Sequence, residues 1–566
     1  MSAQSDYDLT TKLTNLYEQS RTRKSKLYSS WSKYERVSFN ERASEYLAAN
    51  MPTPFDNEIY PVIATLVSHM LDQNQGVYIS PLTDPDSPYR EFFNSLSDDL
   101  NIAINAAWQN YDFDKTFQEI IWDAAVYGAG IAKTSWDDSL ASGKGDVAFT
   151  RISPWSFYPD PQANDLTDGN YYIEVRRMSK DEIKRRFPML AKDLTSLTDA
   201  DDGTDYSRPD VDDIPKANIA QLITGQPGAY GLPGQSGKLV QDSQGIVILE
   251  CWLRDLREVK HNDQVTYEDR WRCILMARSE ILLDEWAEDL YGFNNHPYSR
   301  FVFDQIGKFY PPSLVHYMAS PQIAIHRLLA SMQQNAELTG NPVFMDSANS
   351  GISRTTLVNR PGQRLTLSGA GTSTPPGWLT PPDVPPYILE LVQFWIARIE
   401  NISGLSGSVK GMAPQPRTPN ASVQSSAESA FVRVRNALRN MEMAIRNSMS
   451  IAAELIVQNY NEKRTIAYMS DIGNLGIKAL KANHFYIDAG SGDDMPLEFY
   501  LNVDMGSDST TSKSARISNA ITLYTLGAID QKELLNTLRM KDADKIIARM
   551  IVDGPGRISQ KAATRG

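Results

Sequence analysis

The chain has 566 residues, more than one hydrophobic core spans, so roughly three to four packed units are expected. An apolar share of 41% and a charged share of 22% are those of a folded protein, and two cysteines, Cys251 and Cys273, exclude a disulfide-held fold. A net charge of −13 excludes a protein that grips nucleic acid through a broadly basic surface, but not one that surrounds DNA and lets it slide.

The polar opening "MSAQSDYDLTTKL" lacks the apolar core of a signal peptide. No apolar run reaches the roughly 20 residues of a membrane helix, so a soluble intracellular protein is expected. Residues 7–48 read as a charged helix with little apolar periodicity, either an arm or a segment packed on a neighbouring chain. "EIYPVIATLVSHML" sets Ile59, Val62, Ile63, Leu66, Val67 and Met70 on one helical face. Two more helices are predicted, over 91–111 and 114–127, the second stopped by Gly128. The period then changes to two. "IAKTSWDD" and "GDVAFTRISP" form a predicted hairpin, and "YYIEVRRM" a further strand. "SKDEIKRRFP" is a short helix with a capping box from Ser179 to Glu182. Residues 199–245 open with seven aspartates between Asp199 and Asp213, followed by "GQPGAYGLPGQSG", and read as a flexible insertion with too little apolar surface to fold alone. Strands resume over 246–256, 264–276 and 280–284, and the two cysteines in them read as small buried residues.

A helical region begins at "SPQIAIHRLLASMQQNAELTGNP", with Ser320 as N-cap, Pro321 in the first turn and Gly340 at the stop. A small β-type module rich in Pro and Gly covers 342–385. The next helix, "PYILELVQFWIARIENIS", is apolar around more than half of its circumference. So broad a face calls for burial on more than one side, other subunits included. Gly404 then opens "GLSGSVKGMAPQPRTPNASVQSSAES", whose only basic residues are Lys410 and Arg417. The longest helix follows over about 425–460, with Phe431, Val434, Leu438, Met441, Ile445, Ala452 and Leu455 in period. Strands near 484–488 and 497–504 and three short helices, the middle one opening at Asp530 and Glu533, complete the chain.

Motifs for chemistry are lacking. In "GAGIAKTS" Ala132 precedes the lysine and Tyr127 stands where a phosphate loop needs its first glycine, so a strand is preferred there. The six histidines show no paired ligand spacing, and no nucleophile elbow occurs. No catalytic residue, metal or cofactor is expected. A nucleotide-binding enzyme built on 128–135 is the remote alternative.

Several stretches, in this order, resemble the portal proteins of tailed bacteriophages: "WDAAVYGAGIAKTSWD", "RISPWSFYPDPQA", "HPYSRFVFDQIGKFYPPSLVHYMASPQIAIHRLLASMQQN", "IARIENISGLSG" and "LEFYLNVDMGSDSTTSKSARISNAITLYTLGAIDQKELLNTL". The resemblance implies an α+β subunit of a ring, in this family typically of twelve copies. It implies an N-terminal helical arm (1–49), a wing (50–315), a first stem helix (316–341), a clip (342–385) and a second stem helix (386–403). A tunnel loop (404–424), a long helix with return strands (425–504) and a crown (505–566) complete the plan. The acidic insertion departs from that plan. The ring would admit, retain and release DNA at one vertex of the virion's capsid, after assembly in the host cytoplasm. Partners so implied are copies of itself, the major capsid and scaffolding proteins, the packaging terminase, a tail adaptor and double-stranded DNA, with no membrane. Gly404, Gly407, Lys410, Gly411 and Arg417 would face DNA; Arg354, Arg360, Arg364 and Trp378 would form the clip's partner surface. Ile388, Leu391, Val392, Trp395 and Ile399 would meet the next subunit in the stem. The alternatives are another virion ring, such as a tail adaptor or an internal scaffold, and, for the loop, an ordinary helix–helix connector.

Overall fold

The computed structural model describes residues 3–39, 51–178, 246–340, 385–404 and 420–504, with short breaks inside several of these spans, and parts of 343–345, 377–379 and 523–535. The predicted helix from Ser179, the 199–245 insertion, most of the clip, the middle of the tunnel loop and most of the crown lie outside the described residues. The chain divides into two units, one of residues 1–27, 67–311 and 431–566, the other of 28–66 and 312–430. The predicted α+β character holds: long helices accompany small antiparallel sheets.

In chain order come α1 (Ala3–Ser38), α2 (Ile59–Leu71), β1 (Gly76–Pro81), α3 (Arg90–Asn110), α4 (Phe113–Tyr127), β2 (Gly130–Asp137) and β3 (Asp146–Ile152). The larger sheet of the first unit is an antiparallel five-stranded meander. Its strands are β4 (Phe157–Pro159), β5 (Tyr171–Met178), β6 (Ile246–His261), β7 (Gln264–Ala277) and β8 (Glu280–Trp286). Alternation gives it two buried faces. Tyr171, Ile173, Val175, Leu249, Cys251 and Leu253 pack on one side with Leu13 and Tyr17 of α1. Tyr172, Trp252, Trp271 and Cys273 face the other side, with Ile131 of β2, Ile152 of β3 and Tyr298 of β9 (Tyr298–Phe301). The two cysteines are free, buried and on opposite faces, as small apolar residues would be.

The first turns of α1 therefore correct the sequence reading, because they are no free arm. Leu13, Tyr17, Ser20 and Lys24 form one buried stripe at helical spacing. Lys24 lies 3.8 Å above the Tyr158 ring and donates to the Trp155 carbonyl. Half of the stripe is polar, which is why hydropathy showed no period.

A short helix, α5 (Ala287–Tyr291), follows β8. Strand β1 pairs antiparallel with the far end of the chain, β16 (Phe499–Asp504), a partnership of very long sequence separation. Between them in sequence lie two further pairs, β12 (Arg464–Met469) with β13 (Leu475–Leu480) and β14 (Tyr486–Asp488) with β15 (Asp494–Pro496). Buried Asp99 of α3 receives Lys478 Nζ at 2.7 Å and His484 Nε2 at 2.7 Å, tying helix to hairpin.

The second unit holds α6 (Leu314–Gly340), the strand pair β10 (Val343–Met345) and β11 (Gly377–Leu379), and α7 (Tyr387–Ser403). The longest helix, α8 (Asn420–Asn459), contributes to both units. Its Leu438, Met441, Ile445, Ala452 and Leu455 are buried, as their period required. It starts at Asn420, five residues before the predicted start near 425.

Candidate assembly face and its supports

The start of α6 also differs from expectation. The helix opens seven residues before Pro321, which sits inside it. Ser313 Oγ accepts from the His316 N–H at 3.0 Å and so serves as the cap that Ser320 was expected to be. Pro321 has no N–H, so the Tyr317 carbonyl loses its intrahelical donor. At about 1.5 Å per residue this 27-residue helix is roughly 40 Å long.

Side chains of α6 fix the chain before α2. Gln322 donates to the Asp56 carbonyl at 2.9 Å and accepts from the Glu58 N–H at 3.0 Å, and the buried His326 ring lies against the same carbonyl. Asn57 caps α2, accepting from the N–H groups of Ile59 and Tyr60, and donates to the Ser38 carbonyl at 2.6 Å. Tyr34 of α1 meets His316 Nδ1 at 2.6 Å.

Helix α7 packs along α6, and the two sides of α7 differ sharply. Val392 and Ile399 are buried within their own unit, with Ile388 and Trp395 half-buried on the same side. Tyr387, Leu391 and Phe394, four and three residues apart, form a separate row about a quarter-turn round the helix, 63%, 37% and 56% exposed; Leu389, 54% exposed, stands apart on the other flank of the buried side. The predicted stem interface of Ile388, Leu391, Val392, Trp395 and Ile399 thus mixes two faces. Only Leu391 stands in the outward row; Val392 and Ile399 are already buried by this chain. A helix apolar around more than half of its circumference leaves open, from its period alone, which part of that broad face its own chain covers.

Gly404 ends α7 with φ 74° and returns its N–H to the Glu400 carbonyl at 2.9 Å, a left-handed helix cap. Gly407, Lys410, Gly411 and Arg417 lie outside the described residues, as do Arg354, Arg360 and Arg364. Trp378 stands on β11 opposite Phe344 of β10.

"GAGIAKTS" takes the predicted strand form, and its lysine has a different task. Glu174 and Glu250 stand directly opposite each other on β5 and β6, a like-charge pair that would oppose strand pairing. Lys133 of β2 reaches Glu174 at 3.2 Å and also pairs with Glu250. Arg176 pairs with Glu250 and lies 3.7 Å from Glu174. Trp252 Nε1 donates to Glu250 at 2.9 Å, and the Tyr298 hydroxyl to Glu174 at 3.1 Å. Burial would push the Glu250 carboxyl up, but Lys133 and Arg176 outweigh it and hold the group at about 2. The glycines serve close approach, not phosphate. A Cβ on Gly128, at φ 99°, would meet the Pro311 carbonyl oxygen at 2.0 Å, and one on Gly130 the Ile120 carbonyl oxygen at 2.1 Å.

A feature not foreseen in the sequence lies in the second unit. A pocket of about 710 Å³ opens between α1 and α6, lined by Lys33, Arg36 and Arg327 and walled by Trp395 of α7. Among the described residues, no group of acidic, histidine and cysteine side chains could hold a metal ion, and no helix is long and apolar enough to cross a membrane.

No curated relative matches the chain. A family model does match, that of the Phage P22-like portal protein, over residues 26–562, which takes in both units and all the elements from the later turns of α1 onward; the chain belongs to that portal protein family.

Proposed function

We propose that this portal protein acts as a ring of identical subunits around an axial channel, twelve by the family resemblance, at one vertex of the capsid. The observation that carries the reading is the outward row of α7. Tyr387, Leu391 and Phe394 are large apolar side chains that their own unit leaves exposed in one row of a short helix. Exposed rows of this kind mark interaction surfaces, and a closed ring covers the same row on every copy. In this reading α6 and α7 form the stem, the β10–β11 module the clip, and the segment after Gly404 the loop that meets DNA. Ring closure would seat α7 against the neighbouring subunit, DNA would pass along the axis, and the clip would receive first the packaging motor and then the tail adaptor. No bond is made or broken by this chain in that scheme. Its work is geometric: holding a channel open, and offering scattered cations rather than a sticky basic wall to a passing polyanion.

The test is direct. Mass measurement of purified protein should give one closed oligomer, and Leu391→Asp with Phe394→Asp should shift it to folded single subunits. A wild-type chain that stays monomeric at high concentration would remove the ring, and a double variant that still closes would move the interface off α7.

A further inference from the structure

The pocket between α1 and α6 is built by two matching helix faces. Ser29, Ser32, Lys33 and Arg36 of α1 recur at i, i+3, i+4 and i+7, which sets them on one face. Ser320, Ile323, Ala324 and Arg327 of α6 repeat the same spacing on the wall opposite. Each wall thus starts at a serine and ends at an arginine, about 10 Å further along at 1.5 Å per residue. Among the described residues, three cations and three hydroxyls line the space, and the half-buried indole of Trp395 closes one side.

The charge here opposes that of the chain. Residues 21–36, "RTRKSKLYSSWSKYER", carry six cations (Arg21, Arg23, Lys24, Lys26, Lys33, Arg36) against the single anion Glu35, in a chain of net charge −13. A volume of about 710 Å³ exceeds what one carboxylate side chain fills and lies in the range of small-molecule sites, roughly 300–1,000 Å³. Cations and hydroxyls suit phosphate oxygens. An indole beside them suits a flat base, since base–aromatic stacking is indifferent to sequence.

We propose that this pocket binds nucleotide units, the phosphate on Lys33, Arg36 and Arg327 and the base against Trp395. That the natural source is a nucleic-acid strand rests on the portal reading; free nucleotide is the other source of the same chemistry. The site is distinct from the tunnel loop, and it recognises an unpaired nucleotide more readily than duplex, because a stacked pair cannot offer its base face to the indole.

The experiment uses the full chain and fluorescence anisotropy of a short fluorescein-labelled oligothymidylate, titrated across a range of salt. Wild type should bind, with duplex of the same length weaker. Lys33→Gln with Arg327→Gln should lower affinity about tenfold or more and flatten the salt slope by about 2, one for each lost phosphate contact. Trp395→Leu should cost about tenfold on the single strand and little on duplex. The exposed pair Lys115→Gln with Lys308→Gln removes the same charge elsewhere and should leave binding unchanged. Competition by thymidine monophosphate as effective, per nucleotide, as unlabelled strand would make free nucleotide the source. Absent binding, an equal loss in the control pair, or displacement by oligoglutamate better than by oligothymidylate would overturn the proposal. Particle mass and melting temperature, read on every sample, separate local loss from misfolding. Intact rings that do not bind would remove the pocket and keep the ring, and binding by chains that never form rings would do the reverse.

Discussion

Lys133 stands where a phosphate-binding lysine would, yet its ammonium joins Glu174 and Glu250 across a strand pair that would otherwise repel. Removing one member of such a buried group leaves an uncompensated charge and costs about 3–5 kcal/mol. Lys133→Met should therefore lower the calorimetric unfolding temperature sharply, and Glu250→Gln added to it should recover part of the loss. If both variants melt like wild type, the cluster does not hold the sheet. Acid should act through the same group. Glu250 is held at about 2 when folded against an ordinary 4.5, so its contribution is present above pH 4.5 and is lost as pH falls towards 2. Urea titrations at falling pH should show that loss in wild type and a smaller one in Glu250→Gln. Glu454 of α8 has the opposite sign. Burial alone raises its carboxyl to about 7, so stability is full below pH 4.5 and declines as pH rises through 7. Glu454→Gln should gain about 1–3 kcal/mol at pH 8 and nothing at pH 4, a difference that the same titrations would read.

At the scale of elements, the junction between α4 and β2 is the tightest constraint. Gly128 combines positive φ with a backbone carbonyl at the place where a Cβ would stand. Gly128→Ala should cost more than about 3 kcal/mol, through strain and forced displacement of Pro311, and yield insoluble chain on expression. Gly404→Ala, at φ 74° and a helix end, should cost only about 1 kcal/mol and melt a few degrees lower. Equal behaviour of the two would mean that the Pro311 contact is not what fixes the junction. The extents of α3, α4 and of the hairpin strands, and the C-terminal end of α8, were legible because one face of each is apolar at a regular period. The start of α6 was not. Pro321 is a usual first-turn residue, and only the cap by Ser313 shows that the helix began earlier and absorbed the proline.

At the scale of the whole molecule, the loop after Gly404 carries the clearest functional forecast. Lys410 and Arg417 are its only cations, so Lys410→Gln with Arg417→Gln should leave ring yield unchanged and alter the DNA content per capsid. Helix α8 begins at Asn420, so a deletion of 408–418 shortens the loop without entering the helix. That deletion should give rings that fill capsids poorly. Normal DNA content in the neutralised variant, with failed assembly in the deletion, would return the segment to the role of an ordinary connector.

The sequence by itself determined the class, the order of elements and the absence of catalytic motifs, and through that order a resemblance to the portal family that the family model bears out. Those features are local: helical and strand periods, glycine stops and capping residues act over a few positions. Tertiary structure decided what depends on distant partners. The stripe of α1 became a core face only against Tyr158, Tyr171 and Ile173; β1 found its partner at 499–504. The inner and outer sides of α7 were fixed by α6, and two unremarkable serine-to-arginine faces became a pocket only by lying opposite each other. Pairing across such separations is set by burial and charge complementarity in three dimensions, which no period along a single segment encodes.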